Sequence, residues 1–145
     1  MPKPSPARLD PANYPVAIEV QTRFQDLDPL GHINNGAMAA IIETGRIAFN
    51  HQVGVDGRDR KPGQRWLIAR LEINYVAEGH YPEPVTIGHG FGRVGRSSWD
   101  ILAGVFQGDT CIATADCTIV LTDADGAVAI GEDQRKRIGE YAFRG

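Results

Sequence analysis

One long stretch of helical periodicity limits the folds open to this chain more than any other feature of its sequence. Between Asn35 and Val53, apolar or small residues recur at the spacing of a helix face. These residues are Met38, Ile41, Ile42, Gly45, Ala48 and Phe49. Asn34 precedes the stretch as a candidate N-cap, and Gly54 follows it as a candidate C-terminal stop. The sequence therefore predicts a single long helix over residues 35–53.

Segments of strand periodicity surround this helix. Apolar and polar residues alternate over residues 16–24, 66–76, 85–94, 98–107 and 110–122. Gly95-Arg96 and Gly108-Asp109 fit two-residue hairpin turns, which make the last three strands antiparallel neighbours. A lone helix must bury its apolar stripe against the sheet that these strands form. The pattern predicts an α+β fold with one central helix, and a short helix or a disordered tail over residues 132–137.

Length and composition favour one globular domain. The chain has 145 residues, of which 42% are hydrophobic, and a formal net charge of -3. That charge predicts no nucleic-acid partner and no binding to a membrane, and no apolar run is long enough for a bilayer span. Residues 1–14 are rich in proline and lack the apolar core of a signal peptide. We therefore expect a flexible N-terminal leader followed by one domain over residues 15–145. A cytoplasmic location is the default prediction for a chain without a signal peptide.

Cysteine and histidine spacing predicts neither a disulfide nor a metal site. Cys111 and Cys117 lie six residues apart on one predicted strand, too far to pair with each other, and they read as small buried residues. His51, His80 and His89 show no ligand spacing with one another or with the cysteines.

The segment of residues 26–35 (DLDPLGHINN) carries the clearest chemical signal. It joins a strand to the helix through a turn, so Asp28 should lie beside the amides of Asn35 and Gly36, which have no acceptor within the helix. Gly36 has no β-carbon to block a ligand. A carboxylate next to amides that polarise a carbonyl is the layout of an acyl-transfer site.

This segment, with the order of elements from Val16 to Thr122, resembles the hotdog-fold acyl-CoA thioesterases of the 4-hydroxybenzoyl-CoA thioesterase-like family. Asn74-Tyr75 before a turn and residues 95–98 (GRSS) look like the same family. The resemblance implies a five-stranded antiparallel sheet wrapped around one long central helix. It implies hydrolysis of an acyl-CoA thioester to a carboxylic acid and free coenzyme A, with no cofactor besides the coenzyme A of the substrate. In that family, residues aligned with Asp28 and Asn35 serve as nucleophile or general base and as oxyanion donor.

Three further side chains near the motif have two interpretations each. Glu43 is a second candidate carboxylate, as on the helix of some family members, or a partner for Arg46 at i,i+3. His32 is a candidate proton donor to the leaving thiolate, or it braces the turn. Asp26 is expected to cap the turn rather than to take part in the chemistry.

Two expectations concern the substrate. The resemblance places a contact to the coenzyme A phosphates at Arg96, with Ser97 and Ser98 beside it, although a turn arginine is often only solvated. Arg58, Arg60, Lys61 and Arg65 form a weaker candidate cluster in the long loop. Residues 36–40 (GAMAA) are small where many relatives carry a bulky residue, so we expect an acyl pocket that accepts an extended or bulky chain.

Two other functions fit the same fold. One is an enoyl-CoA hydratase or dehydratase, whose signature combines an aspartate with a nearby histidine, as Asp28 and His32 do here, but the further acid of that signature is missing. The other is a noncatalytic acyl-CoA-binding module. An open sheet leaves an unpaired edge, which predicts a symmetric homodimer or homotetramer with sites at the subunit interface. Asp28 would then face Arg96 of the neighbour, or a strand whose Gly88, Gly90 and Gly92 share one face. Those glycines allow a close approach by another group, or they mark a bend in the sheet.

Overall fold

The computed structural model describes residues 3–145 and shows one antiparallel sheet curled around a long helix. The strands are β1 (Val16–Val20), β2 (Arg65–Tyr75), β3 (Val85–Val94), β4 (Ser98–Gln107), β5 (Thr110–Asp123) and the short β6 (Gly126–Ala127). The helices are α1 (Asn35–Val53) and α2 (Glu132–Glu140). The spatial order is β1-β3-β4-β5-β2, and β6 pairs with β5. The predicted α+β hotdog architecture is confirmed, with β6 as an addition.

Helix α1 has the predicted ends. The side chain of Asn34 accepts a hydrogen bond from the amide of Ala37 at 2.8 Å, which caps the first turn. Gly54 ends the helix in the left-handed conformation at φ 78°, where other residues are strained. Local signals thus define both ends of the helix.

The face of α1 that packs on the sheet is the predicted one. Its buried apolar residues are Met38, Ile41, Ile42, Phe49 and Val53. Gly45 brings the helix so close to β3 that a β-carbon would lie 2.7 Å from Cδ1 of Ile87. Beneath it, His89 is fully buried and its ring stacks on Phe49 with centroids 4.9 Å apart. Burial lowers the pKa of His89 from 6.5 to about 4, so the imidazole is neutral at pH 7.

The first strand is shorter than predicted. It ends at Val20, and residues Phe24–Asp26 form a 3₁₀ turn instead of a strand continuation. The strand stops where its partner β3 begins, since Val20 pairs with Val85, and the carboxylate of Asp26 holds the turn that follows: its Oδ2 accepts the main-chain amide of Arg23 at 2.9 Å and its Oδ1 accepts the Arg23 guanidinium at 3.0 Å. An alternating pattern cannot reveal such a local side-chain bond.

The N-terminal segment packs on the outer face of the sheet, which the sequence analysis did not anticipate. Arg8 lies 2.7 Å from Oδ1 of Asp116 and donates to the carbonyls of Ala103 and Ala115 at 3.2 Å each. The hydroxyl of Tyr14 donates to the carbonyl of Arg8 at 2.7 Å. Residues 1 and 2 of the expected leader lie outside the described residues.

The glycines of β3 accommodate these terminal segments. A β-carbon on Gly88 would lie 2.7 Å from the ring of Tyr14, and one on Gly90 would lie 3.0 Å from the main chain of Phe143. The close approach that the glycines allow is therefore made by the chain's own ends. The expectation that Asp28 of a neighbouring subunit faces Arg96 or this strand stays a prediction.

Strand β2 forms one edge of the sheet and carries exposed apolar side chains. Leu67, Ile68 and Tyr75 are each 52% exposed and Leu71 is 44% exposed. A long, apolar, unpaired edge is a site for pairing with another chain. Among residues 3–145, no helix is long and apolar enough to cross a membrane.

Candidate active site

In the turn before α1, main-chain bonds join residues 26–28 to residues 32–34. The amide of Asp28 donates to the carbonyl of His32 at 2.8 Å, and Leu27 and Ile33 form an isolated antiparallel bridge. The amide of Asn34 donates to the carbonyl of Asp26 at 2.9 Å. These bonds bring the segment that carries Asp28 alongside the residues that lead into the helix.

Asp28 uses only one carboxylate oxygen to build this turn. Its Oδ1 accepts the amide of Leu30 at 2.9 Å and the amide of His32 at 3.1 Å. Oδ2 accepts no hydrogen bond from residues 3–145 in the structure. The side chain is half-buried, so this second oxygen is available to a water molecule or a substrate.

The start of α1 offers two donors next to the turn. The amides of Ala37 and Met38 bond Asn34, whereas those of Asn35 and Gly36 find no acceptor among the described residues. Both residues are exposed, and a β-carbon on Gly36 would meet only Oδ1 of Asn34, at 3.4 Å. With the positive end of the helix dipole behind them, these amides can polarise a carbonyl oxygen.

The structure separates the remaining candidates near the motif. The ring of His32 lies with its Nε2 3.1 Å from Oε2 of Glu78, so His32 meets Asp28 through its main-chain amide and not through its ring. Glu43 is on the exposed side of α1, with its Oε2 3.9 Å from a guanidinium nitrogen of the buried Arg46. Asp26 is 2% exposed and bonds only within the turn, as expected of a capping residue.

The hairpin that carries Arg96 lies at the end of the fold opposite to the Asp28 turn. The carbonyl of Arg96 accepts the amide of Ile130, and the carbonyl of Ser97 accepts the amide of Leu121, each at 2.8 Å. Ser98 accepts a bond from the side chain of Arg93 at 2.9 Å. Nearby, α2 touches the C-terminal end of α1, because Arg137 donates to the carbonyl of Gly54 at 3.3 Å. A helix of 19 residues is about 28 Å long, so one chain does not bring Asp28 and Arg96 together.

Residues 22–138 match the model of the thioesterase-like superfamily. The chain belongs to this superfamily. The match spans the Asp28 turn, both hairpins and most of α2, and it confirms the prediction of a thioester hydrolase. None of the curated protein sequences matches the chain.

Solved structures with the same fold agree with this membership. A thioesterase from Thermus thermophilus, complexed with coenzyme A and Zn, is 26% identical with a TM-score of 0.75, over 89% of this chain and 95% of its own. A protein from Pseudomonas aeruginosa is 22% identical with a TM-score of 0.78, over 92% and 96%. A DHNA-CoA thioesterase from Staphylococcus aureus is 20% identical with a TM-score of 0.71, over 86% and 88%.

The zinc of the Thermus structure has no evident counterpart among the side chains here. Within residues 3–145, no three His, Cys, Asp or Glu side chains come close enough together to hold a metal ion. The cysteines are both buried and unpaired, as predicted. Sequence reasoning missed two residues near the site. Glu78 contacts His32 of the turn, and Gln107 bonds the main chain of His80 in the segment behind it. Neither stands in a motif that would have identified it.

Proposed function

We propose that this member of the thioesterase-like superfamily is an acyl-CoA thioesterase that releases a carboxylic acid and free coenzyme A. The observation that carries the proposal is the pairing of Asp28, with one unbonded carboxylate oxygen, and the exposed amides of Asn35 and Gly36. The coenzyme A bound to the Thermus thioesterase supports the choice of carrier.

In the proposed reaction, the thioester oxygen accepts hydrogen bonds from the amides of Asn35 and Gly36. The Asp28 carboxylate takes a proton from a water molecule, whose oxygen attacks the carbonyl carbon. The negative charge that develops on the carbonyl oxygen is stabilised by the two amides. The C–S bond then breaks, and the thiolate takes up the proton from Asp28. Attack by Asp28 itself, followed by hydrolysis of the resulting anhydride, is the nucleophilic form of the same scheme.

The proposed site is built from two subunits. Antiparallel pairing of β2 with its copy requires a two-fold axis perpendicular to the sheet, and this axis also makes the two α1 helices antiparallel. The end of one subunit that carries Arg96 then approaches the end of the other that carries Asp28. The exposed apolar residues of β2 support this edge as the interface. A homodimer, or a homotetramer built from such dimers, would give Arg96 access to the phosphates of the coenzyme.

The experiment that tests the function is thiol release from a panel of acyl-CoA thioesters, followed with a thiol-reactive dye. We expect free coenzyme A and the carboxylic acid in equal amounts. Single-turnover hydrolysis in H₂¹⁸O identifies a nucleophilic Asp28 when water attacks the Asp28 carbon of the anhydride, because an oxygen of Asp28 then leaves in the first product and ¹⁸O stays in the protein. A protein that binds coenzyme A but releases no thiol from any thioester would contradict the proposal and favour a binding module.

A further inference from the structure

The segment of residues 78–83, called the bracing loop below, lies against the Asp28 turn and is held by the buried side chains of Gln107 and Thr22. Gln107, the last residue of β4, is 7% exposed. Its Oε1 accepts the amide of His80 at 2.9 Å, and its Nε2 donates to the carbonyls of His80 at 2.8 Å and Glu83 at 2.9 Å. One carboxamide therefore bonds three main-chain groups of the bracing loop, and the hydroxyl of Thr22 also donates to the carbonyl of Glu83, at 3.0 Å.

The bracing loop contacts the turn through its main chain and its side chains, and the ring of His80 meets the ring of His32 with centroids 5.6 Å apart. The amide of Ile33 donates to the carbonyl of Gly79 at 2.9 Å, and Glu78 meets the ring of His32 at 3.1 Å. Gly79 is packed so tightly that a β-carbon there would lie 2.8 Å from Cδ1 of Ile33. Since Ile33 directly precedes the helix N-cap Asn34, a shift of the bracing loop would displace the helix start and the turn together.

We propose that Gln107 is a positioning residue of the active site, acting through the bracing loop on the turn that carries Asp28. The inference rests on the proposed function, since it concerns the rate of the same reaction. Gln107 hydrogen-bonds neither Asp28 nor the helix start, so its effect is indirect. Misplacing reacting groups by about 1 Å can slow a reaction by about 10²-fold. Glu78 has a smaller share, because its side chain is 67% exposed and its contact with His32 is screened by solvent.

Replacing Gln107 by methionine tests this role, because methionine keeps the length of the side chain and removes both hydrogen-bonding atoms. We expect Gln107→Met to lower kcat for an acyl-CoA by about tenfold and to change KM by less than about twofold. The matched control is Gln64→Met, which removes a bond of 2.9 Å to the amide of Lys61 in an exposed loop. It should retain the wild-type kcat. Glu78→Gln should lower kcat by about threefold.

A second comparison separates positioning from general destabilisation. In an Asp28→Asn background only the amides at the helix start are left to be misplaced, so Gln107→Met should lower the residual kcat by clearly less than tenfold while still lowering the melting temperature. A tenfold loss in both backgrounds, or an unchanged kcat in folded Gln107→Met, would overturn the positioning role. If Gln107→Met does not fold, Gln107→Glu is used in its place, because glutamate keeps the acceptor for the amide of His80 and loses the donor to the carbonyls. The same two outcomes would then overturn the positioning role. A wild-type protein that releases no thiol refutes the proposed function, whereas an active one insensitive to these changes refutes only this inference.

Discussion

Replacing Asp28 by asparagine separates the chemistry of this side chain from its part in the turn. Oδ1 of Asp28 accepts two main-chain amides, at 2.9 and 3.1 Å, and the amide oxygen of asparagine can accept both. The variant therefore keeps the turn and loses the carboxylate charge. A comparison with Asp28→Ala, which also loses both bonds, shows how much of any effect is structural.

The expected effects on stability and on catalysis differ clearly in size. A hydrogen bond to a charged acceptor contributes about 1.5–3 kcal/mol and a neutral one about 0.5–1.5 kcal/mol. For a half-exposed carboxylate we expect Asp28→Asn to lower the free energy of unfolding by about 1 kcal/mol, or the melting temperature by about 2–4 °C. Loss of a general base slows a reaction by about 10²–10⁴-fold, which is about 3–5 kcal/mol in the barrier. The loss of activity should thus far exceed any loss of fold.

The assay is thiol release at saturating acyl-CoA, with binding of free coenzyme A measured by calorimetry on the same preparations. Asp28→Asn should bind coenzyme A like the wild type and release thiol at least about 10²-fold more slowly. Glu43→Gln is measured in parallel, because Glu43 is the other candidate carboxylate. A folded Asp28→Asn enzyme with a rate close to that of the wild type would refute Asp28 as the catalytic carboxylate, and a large loss in Glu43→Gln would transfer the role.

Four other outcomes can be checked. If sites are shared between subunits, co-refolding inactive Asp28→Asn with impaired Arg96→Gln should restore up to about a quarter of wild-type activity, and no recovery would place both residues in one subunit's site. Long or bulky acyl-CoAs should be hydrolysed faster than acetyl-CoA, and equal turnover would contradict an acyl pocket widened by residues 36–40. Burial lowers the pKa of His89 from 6.5 to about 4, so between these pH values the His89 imidazole is protonated only in the unfolded chain. The free energy of unfolding, measured by urea titration, should therefore fall by about 3 kcal/mol as the pH drops through this range, and a His89→Phe variant should lack that contribution. Arg8→Met should lower the free energy of unfolding by about 1–3 kcal/mol without changing kcat, and a loss of kcat would show that the outer face influences the site.

The parts of the fold that sequence reasoning predicted well are those defined by local chemistry. Both ends of α1 follow from a capping asparagine and a glycine at positive φ, each of which acts within a few residues. The turn between β4 and β5 likewise follows from Gly108, which has a φ of 59°. Such signals need no knowledge of the rest of the chain.

The parts that it missed depend on contacts between distant segments. Arg8 meets Asp116 across more than a hundred residues, and nothing in a proline-rich leader indicates that the outer face of the sheet will hold it. Gln107 reaches back to His80 and Glu83 from the end of a strand where a polar residue usually marks only a turn. A single sequence carries no local signal for such bonds, because the partner is chosen by the fold.

The Asp28 turn shows why a structural and a catalytic interpretation of one residue need not compete. Aspartate before a proline commonly forms a turn, and by itself this role would argue against chemistry. Here the turn takes only Oδ1, and the two amides that bind it fix the direction of the carboxylate. Oδ2 is therefore held in place by the bonds of its neighbour, as a preorganised base should be, instead of sampling several rotamers. The structural role supports the proposed catalytic role, since a carboxylate without the turn would have to be ordered at each turnover.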